Sequence, residues 1–285
     1  MEPIFRSGTV NDAAACGAIC YEAFKTIAEQ HNFPPDFPSV DVSVGLLSMM
    51  LVRPDVFSVV AEREGRVVGS NFLWEGDTIA GVGPITVLPS SQNGSIGRQL
   101  MERVLDRAFG QRKVGVRLVQ AAYHNRSLSL YSKLQFNAQE PLSAMQGPAL
   151  KLEISGYRVR PATGDDLDVC NRLCLSVHGH ERSVELTAAI AQGTARVVER
   201  GGSVTGYATD IGYFAHAVGR TNEELKALIG AASTISGPGF LLPTRNAELL
   251  RWCLAHGLRV VHPMTLMSRG LYQEPIGAFL PSILY

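Results

Sequence analysis

The sequence predicts an α/β (α+β) fold built twice over: two tandem mixed sheets, each flanked by helices. Three internal matches carry this reading. FRSGTVNDAAACGAIC, from Phe5, lies over RVRPATGDDLDVCNRLC, from Arg158: with Arg6 set on Arg160, Thr9 meets Thr163, Asp12 meets Asp166, Cys16 meets Cys170 and Cys20 meets Cys174. Next, VVAEREGRVVG (Val59–Gly69) lies over RVVERGGSVTG (Arg196–Gly206), matching Glu62, Arg63, Gly65, Val67 and Gly69 to Glu199, Arg200, Gly202, Val204 and Gly206. Last, Leu118–Met145 lies over Phe240–Met267, with Pro141 on Pro263 and Met145 on Met267. Matches in one order, with a spacing far above the repeat length of a solenoid, describe a duplicated domain. The boundary is expected in the Gly147–Gly156 region, which gives domains at 1–150 and 151–285.

Each copy reads as strand, helix, hairpin, strand, helix, strand, helix, strand. Thr9 or Asn11 can cap a first helix carrying Ala15, Ile19 and Phe24. In the second copy Thr163 or Asp165 caps Leu167, Cys170, Leu173 and Cys174. EREGRVVG and ERGGSVTG are hairpin turns between alternating strands. GPITVLP (Gly83–Pro89) reads as a buried strand, and KVGVRLVQA (Lys113–Ala121) alternates like one. Between them Ile96, Leu100, Val104 and Ala108 recur four apart and mark a helix. Elements alternating in this way build a sheet with helices on its faces.

Composition narrows the function. The chain has 285 residues, is 46% hydrophobic and carries 26 basic against 26 acidic residues, net zero. That gives no electrostatic case for nucleic acid or for a membrane surface. The start, MEPIFRSGTV, is too polar for a signal peptide, and no apolar run is long enough to span a bilayer. An odd count of five cysteines suits reduced thiols and a cytoplasmic protein. Cys16/Cys20 and Cys170/Cys174 lie four apart among apolar neighbours and read as core, and His178 and His180 have no cysteine partners, so no metal is expected.

The segment SQNGSIGRQLMERVL (Ser91–Leu105) points to chemistry. A strand, a short polar glycine-bearing loop and a helix start make an anion site, because the first helical turn offers unpaired N–H groups and a positive dipole end. A Walker loop needs Gly-Lys-Ser/Thr where this loop has Gly-Arg-Gln. A dinucleotide fingerprint needs GxGxxG after the first strand, and this loop comes mid-domain. Instead Gln92-Asn93-Gly94-Ser95-Ile96-Gly97 resembles motif A, Gln/Arg-x-x-Gly-x-Gly/Ala, of the GCN5-related N-acetyltransferase (GNAT) superfamily, with Ser95 at the first glycine. AAYHNRSLSLYSKLQF (Ala121–Phe136) resembles motif B: Leu130-Tyr131 and Lys133-Leu134-Gln135-Phe136 match, with Gln135 in place of glycine. The resemblance covers about residues 55–145, and the repeat extends it to a tandem member with a degenerate C-terminal copy.

The resemblance implies an acetyl-CoA-dependent N-acetyltransferase that moves the acetyl group directly to an amine. Thr86, Val87 and Leu88 would pair with the pantetheine arm; Gln92, Asn93, Gly94, Ser95, Ile96, Gly97 and Arg98 would cradle the pyrophosphate; Asn125 and Ser127 would also touch the cofactor. The backbone N–H near Val87 would hold the oxyanion. Tyr131 takes the place of the acid that protonates the CoA thiolate. Glu75 and His124 are candidate bases, and the C-terminal carboxylate of Tyr285 is a remoter one. The proline- and aromatic-rich loop HNFPPDFPSVD (His31–Asp41) corresponds to an acceptor wall, which nominates Phe33, Phe37 and Trp74 for the acceptor. In the second copy AHAVGRTNEELKALI lacks the motif A loop and Cys253 replaces Tyr131, so that copy is expected to shape the acceptor cleft or a dimer without binding cofactor. A small-molecule or peptide amine is the expected partner, with a homodimer as the default assembly. The alternative is a CoA-binding sensor or interaction module without turnover; transfer to a hydroxyl is a third reading.

Overall fold

A computed structural model describes residues 2–92 and 94–284. The first half contains β1 (Ile4–Ser7), α1 (Ala13–Gln30), α2 (Val40–Val52), β2 (Val56–Arg63), β3 (Arg66–Trp74), β4 (Ile79–Val82), β5 (Thr86–Val87), α3 (Ile96–Gly110), β6 (Gly115–Ala121), α4 (Asn125–Lys133) and β7 (Asn137–Gln146). The second half contains β8 (Arg158–Pro161), α5 (Leu167–His178), α6 (Ser183–Ala191), β9 (Arg196–Arg200), β10 (Ser203–Ala208), β11 (Ala217–Gly219), α7 (Asn222–Ala231), β12 (Phe240–Pro243), α8 (Ala247–Ala255), β13 (Arg259–Gly270) and β14 (Ala278–Leu280).

The duplication is visible atom by atom. Arg6 donates to both Asp12 oxygens at 2.9 and 2.8 Å and to Glu62 at 3.0 Å. Arg160 donates to Asp166 at 2.7 and 2.8 Å and to Glu199 at 2.7 Å. In each copy the same aspartate accepts the backbone N–H and the hydroxyl of a capping threonine, Thr9 or Thr163. The threonines, not Asn11 or Asp165, therefore start the turns that lead into α1 and α5. The facing guanidinium holds each aspartate down to about 2.

The larger sheet runs β1-β2-β3-β4-β6-β13-β7-β12, with β5 on β3; the smaller runs β14-β11-β10-β9-β8. The stretch 147–157 has neither strand nor helix, yet the sheets cross it. β13 inserts antiparallel between β6 and β7, and β12 pairs with β7. Each copy's last long strand thus pairs with the other copy's penultimate one. This exchange brings the second half beside β6, where the site lies.

Under the larger sheet α3 buries Ile96, Leu100, Met101, Val104, Leu105 and Ala108 against Val59, Val68, Leu73 and Val116. That is the four-apart stripe read from the sequence. Gly83–Pro89 is less regular than expected: the strand proper is Thr86–Val87, with the Gly83 and Leu88 N–H groups bonded to β3 on either side of it, because Pro84 has no N–H to give a ladder and Pro89 opens a 3-10 turn. All five cysteines are buried and unbonded to one another, and burial pushes Cys20, Cys170 and Cys253 up to about 12, which leaves them unreactive core thiols. Among the described residues no helix is long and apolar enough to cross a membrane.

One departure from motif B has a structural reading. Gln135 follows α4 at φ +67°, in the left-handed region; its repeat partner Gly257 follows α8 at φ +85°. The backbone requires the turn in both copies, and only the second supplies glycine. Gln135 is exposed, so Gln135→Gly is expected to raise stability by about 0.5–1 kcal/mol, the relief of left-handed strain less the greater chain entropy of glycine. A shift of the urea midpoint to higher concentration measures it, and an unchanged or lower midpoint contradicts it.

Candidate active site

Between the first-half strands the sheet opens. β4 runs parallel to β6 only from Ile79 to Gly81, and then the two diverge. The gap leads into a cavity of about 1060 Å³. Its floor is Val82–Val87, one end is Gln92 and Ser95–Arg98, and one wall is α4 with Ser127, Leu130 and Tyr131. Phe24, Asp36 and Phe37 close the opposite side, and Tyr213, Phe214, Met264, Ile283 and Leu284 arrive from the second half.

Strand alternation aims the β5 backbone. Leu88 N–H bonds Val68 O at 2.9 Å, and in register Thr86 faces Ser70 and Val87 faces Gly69. The N–H and C=O of Val87 therefore point away from β3. Gln92 Nε2 donates to Val87 O at 3.1 Å, while the Val87 N–H faces the cavity edge. No strand pairs that edge among the described residues.

The start of α3 is open as well. Ser95, at φ +59°, is its N-cap and makes no side-chain capping bond. By contrast α7, its repeat counterpart, is closed by its own Glu224, whose carboxylate accepts Thr221 N–H at 2.9 Å and the Thr221 hydroxyl at 2.6 Å. An uncapped helix start leaves N–H groups for an outside anion. Arg98 lines the cavity there, paired at the surface with Glu102 at 2.8 Å. Arg63, at the end of β2, adds charge: its guanidinium lies 3.7 Å from where a Gly94 side chain would begin, and its Nε makes no hydrogen bond.

At the centre Tyr131 is 6% exposed and borders the cavity. Burial pushes its phenol up to about 12, opposed by a hydrogen bond with Ser127. Ser127 Oγ bonds His124 Nδ1, and both line the cavity together with Tyr131. Burial, then Arg126 and His31, lowers His124 to about 4, so the imidazole is neutral near pH 7.

The cavity thus gathers Thr86, Val87, Gln92, Ser95, Ile96, Gly97, Arg98, His124, Ser127, Tyr131 and Phe37. The other expected residues stand apart from its lining. Leu88 commits its N–H to β3. Gly94 lies against Arg63. Asn125, in the first turn of α4, is exposed and its carbonyl accepts Ser129 Oγ. Glu75 is gripped by Arg107 at 3.0 and 2.7 Å on the outer side of α3, so the expectation of Glu75 as a base is corrected: it is not at the cavity. Trp74 donates to Gly83 O at 3.2 Å with Arg53 over its ring. Phe33 stacks on Tyr123 at 4.3 Å and supports that ring from behind. Asn93 and Tyr285 lie outside the described residues. Asp36, Tyr123, Tyr213, Phe214 and Arg63 escaped the sequence reading. For Asp36 the signal was present, as an acid set between the prolines and phenylalanines of an aromatic loop; for Tyr213 and Phe214 it was not, since the strand exchange that brings them in is non-local. Among the described residues no cluster of three or more His, Cys, Asp or Glu is placed to hold a metal.

The acetyltransferase (GNAT) family matches residues 21–136. An IAA acetyltransferase of Azospirillum brasilense is 34% identical over 94 residues, which are 32% of this chain and 61% of that protein. A putative acetyltransferase from Pyrococcus horikoshii superposes with TM-score 0.74 at 18% identity, over 98% of this chain and 94% of its own. A GCN5-related N-acetyltransferase from Sphaerobacter thermophilus gives 0.63 at 14% identity, over 95% and 96%. A tandem GNAT protein from the clavulanic acid biosynthesis pathway gives 0.55 at 14% identity, over 94% and 98%. At these identities the solved structures speak for the fold, and they do so along the whole chain. The family match thus covers residues 21–136, in the first half, and the solved structures extend a likeness of fold, in a tandem two-domain form, along the whole chain.

Proposed function

We propose that the protein transfers an acetyl group from acetyl-CoA to the nitrogen of an amine, in one active site built on the first half. The observation that carries this is a single cavity with three features: the free edge of β5, the uncapped start of α3, and the Tyr131 hydroxyl. The pantetheine arm adds to the β5 edge as a short strand. The pyrophosphate takes the α3 N–H groups, with Arg98 and Arg63 nearby.

The neutral amine attacks the thioester carbon and the carbonyl oxygen gains charge. The Val87 N–H is aimed to hold it. The C–S bond then breaks, and the sulfur takes the Tyr131 proton. A phenol pushed up by burial stays protonated throughout the working range, ready to give its proton to the sulfur. The second half serves as acceptor wall. Its own equivalent site is closed twice over: Glu224 occupies the α7 start, and β14 pairs with β11 through Gly219, which faces Gly206 as Val87 faces Gly69, so the edge left free on β5 is taken.

The test is CoA-thiol release from acetyl-CoA with a panel of primary amines. Release that depends on amine, with one acetylated amine per thiol, is expected. Acetyl-CoA bound without release for any amine favours the sensor reading.

A further inference from the structure

The acceptor side of the cavity is largely apolar and aromatic, and it holds one carboxylate. Among the described lining residues Asp36 is the single carboxylate. It sits in the loop between α1 and α2, flanked by Pro35 and Phe37, with Phe24 edge-on to Phe37 at 5.9 Å. Tyr123, Tyr213 and Phe214 line the same space. Asp36 forms no ion pair with Lys, Arg or His among the described residues. A carboxylate held in an apolar wall without a cation is a costly arrangement that a cationic ligand relieves.

We propose that Asp36 receives the acceptor: it binds the ammonium of a primary amine with an apolar or aromatic body and takes its proton before attack. This rests on the acetyl-transfer reading above. The proton balance closes: the ammonium gives one proton to Asp36, the nitrogen lone pair forms the C–N bond, and the proton lost as that bond forms leaves to solvent. The thiolate takes its own from Tyr131. The aromatic rings suit both the apolar body and the cation. An amine that carries a carboxylate beside its nitrogen is repelled by Asp36, so amines are preferred to the matching amino acids.

Burial raises Asp36 to about 6, so its basic form is present above that pH and lost below it. The groups around it whose ionisation is shifted move away from this range. Burial and the Asp36 charge push Tyr123 and Tyr213 up, and burial pushes the Cys20 thiol up to about 12. His124 and His262 are lowered by burial. His31 packs on the Tyr123 ring at 5.3 Å, and Arg126 acts on His124. An acid limb that belongs to any other group would persist in an Asp36→Asn variant, whereas one due to Asp36 would vanish.

The probes are 2-phenylethylamine, phenylalanine and 2-phenylethanol. Calorimetry with CoA bound and thiol release with acetyl-CoA are measured on the wild type and on Asp36→Asn. Expected for the wild type are turnover of 2-phenylethylamine, binding at least about tenfold tighter than 2-phenylethanol, preference over phenylalanine, and an acid limb near pH 6. The variant is expected to bind acetyl-CoA within about twofold of wild type, lose about 100-fold in kcat/KM, lose the amine-over-alcohol preference and lose the acid limb. An unchanged kcat/KM and limb in the variant, a wild type that prefers phenylalanine, or one that binds acetyl-CoA yet does not turn over 2-phenylethylamine overturns the inference alone. A wild type that does not bind acetyl-CoA overturns the acetyl-transfer reading and the inference with it.

Discussion

Tyr131→Phe is expected to lower kcat by about 10²–10³-fold while the Kd for acetyl-CoA changes by less than about twofold. The ring is 6% exposed and packs on Phe136, so Phe keeps the core contacts. Only the hydroxyl goes, and Ser127 retains His124 as partner. What is lost is the proton for the departing thiolate, an interaction made only as the C–S bond breaks, so kcat falls and ground-state binding does not. The sign with pH follows from the cause of the shift. Burial keeps the phenol protonated up to about pH 12, so the loss is uniform from pH 6 to 10 and moves neither limb. Single-turnover kinetics with a saturating amine measure it. An unchanged rate places the donor elsewhere.

Gly97→Glu is expected to weaken acetyl-CoA binding by about 100-fold or more, roughly 2.7 kcal/mol, while leaving the fold intact. Gly97 is the second residue of α3, and the nearest atoms to a side chain there are methyls of Leu130 and Val87 at 3.8 Å. The position therefore has room, and Gly97→Ala is expected to bind within about threefold of wild type. A glutamate instead brings a carboxylate to the open N–H groups, suits the helix dipole by about 0.5 kcal/mol and repels the pyrophosphate. It would do in the first half what Glu224 does in α7 of the second. Isothermal calorimetry checks both variants; a Gly97→Glu protein that binds normally means the pyrophosphate lies elsewhere.

How much of this was legible follows from the range of each interaction. The α3 stripe, the hairpins and the capping threonines are local, and the sequence shows them. So is the strand-loop-helix that nominated Gln92–Arg98 and Tyr131. α2 was illegible because VDVSVGLLSMMLV is apolar nearly all round and has no face to read. It lies against α1 at Gly17, where Val44 backbone comes within 2.5 Å of where a side chain would start. The exchange of β7 and β13 was illegible for another reason. Alternation tells which face a strand buries but not its neighbour. From that one non-local fact follow Tyr213, Phe214 and Met264 at the cavity. Glu75 misled because its position after β3 said nothing of Arg107, a helix away.

The central claim is one acyl-CoA site per chain, in the first half. A calorimetric titration of acetyl-CoA into the wild-type protein tests it most directly. The account expects saturation at one per chain. Two per chain would mean that Glu224 and β14 do not close the second site, and no binding would remove acetyl transfer as the function of this cavity.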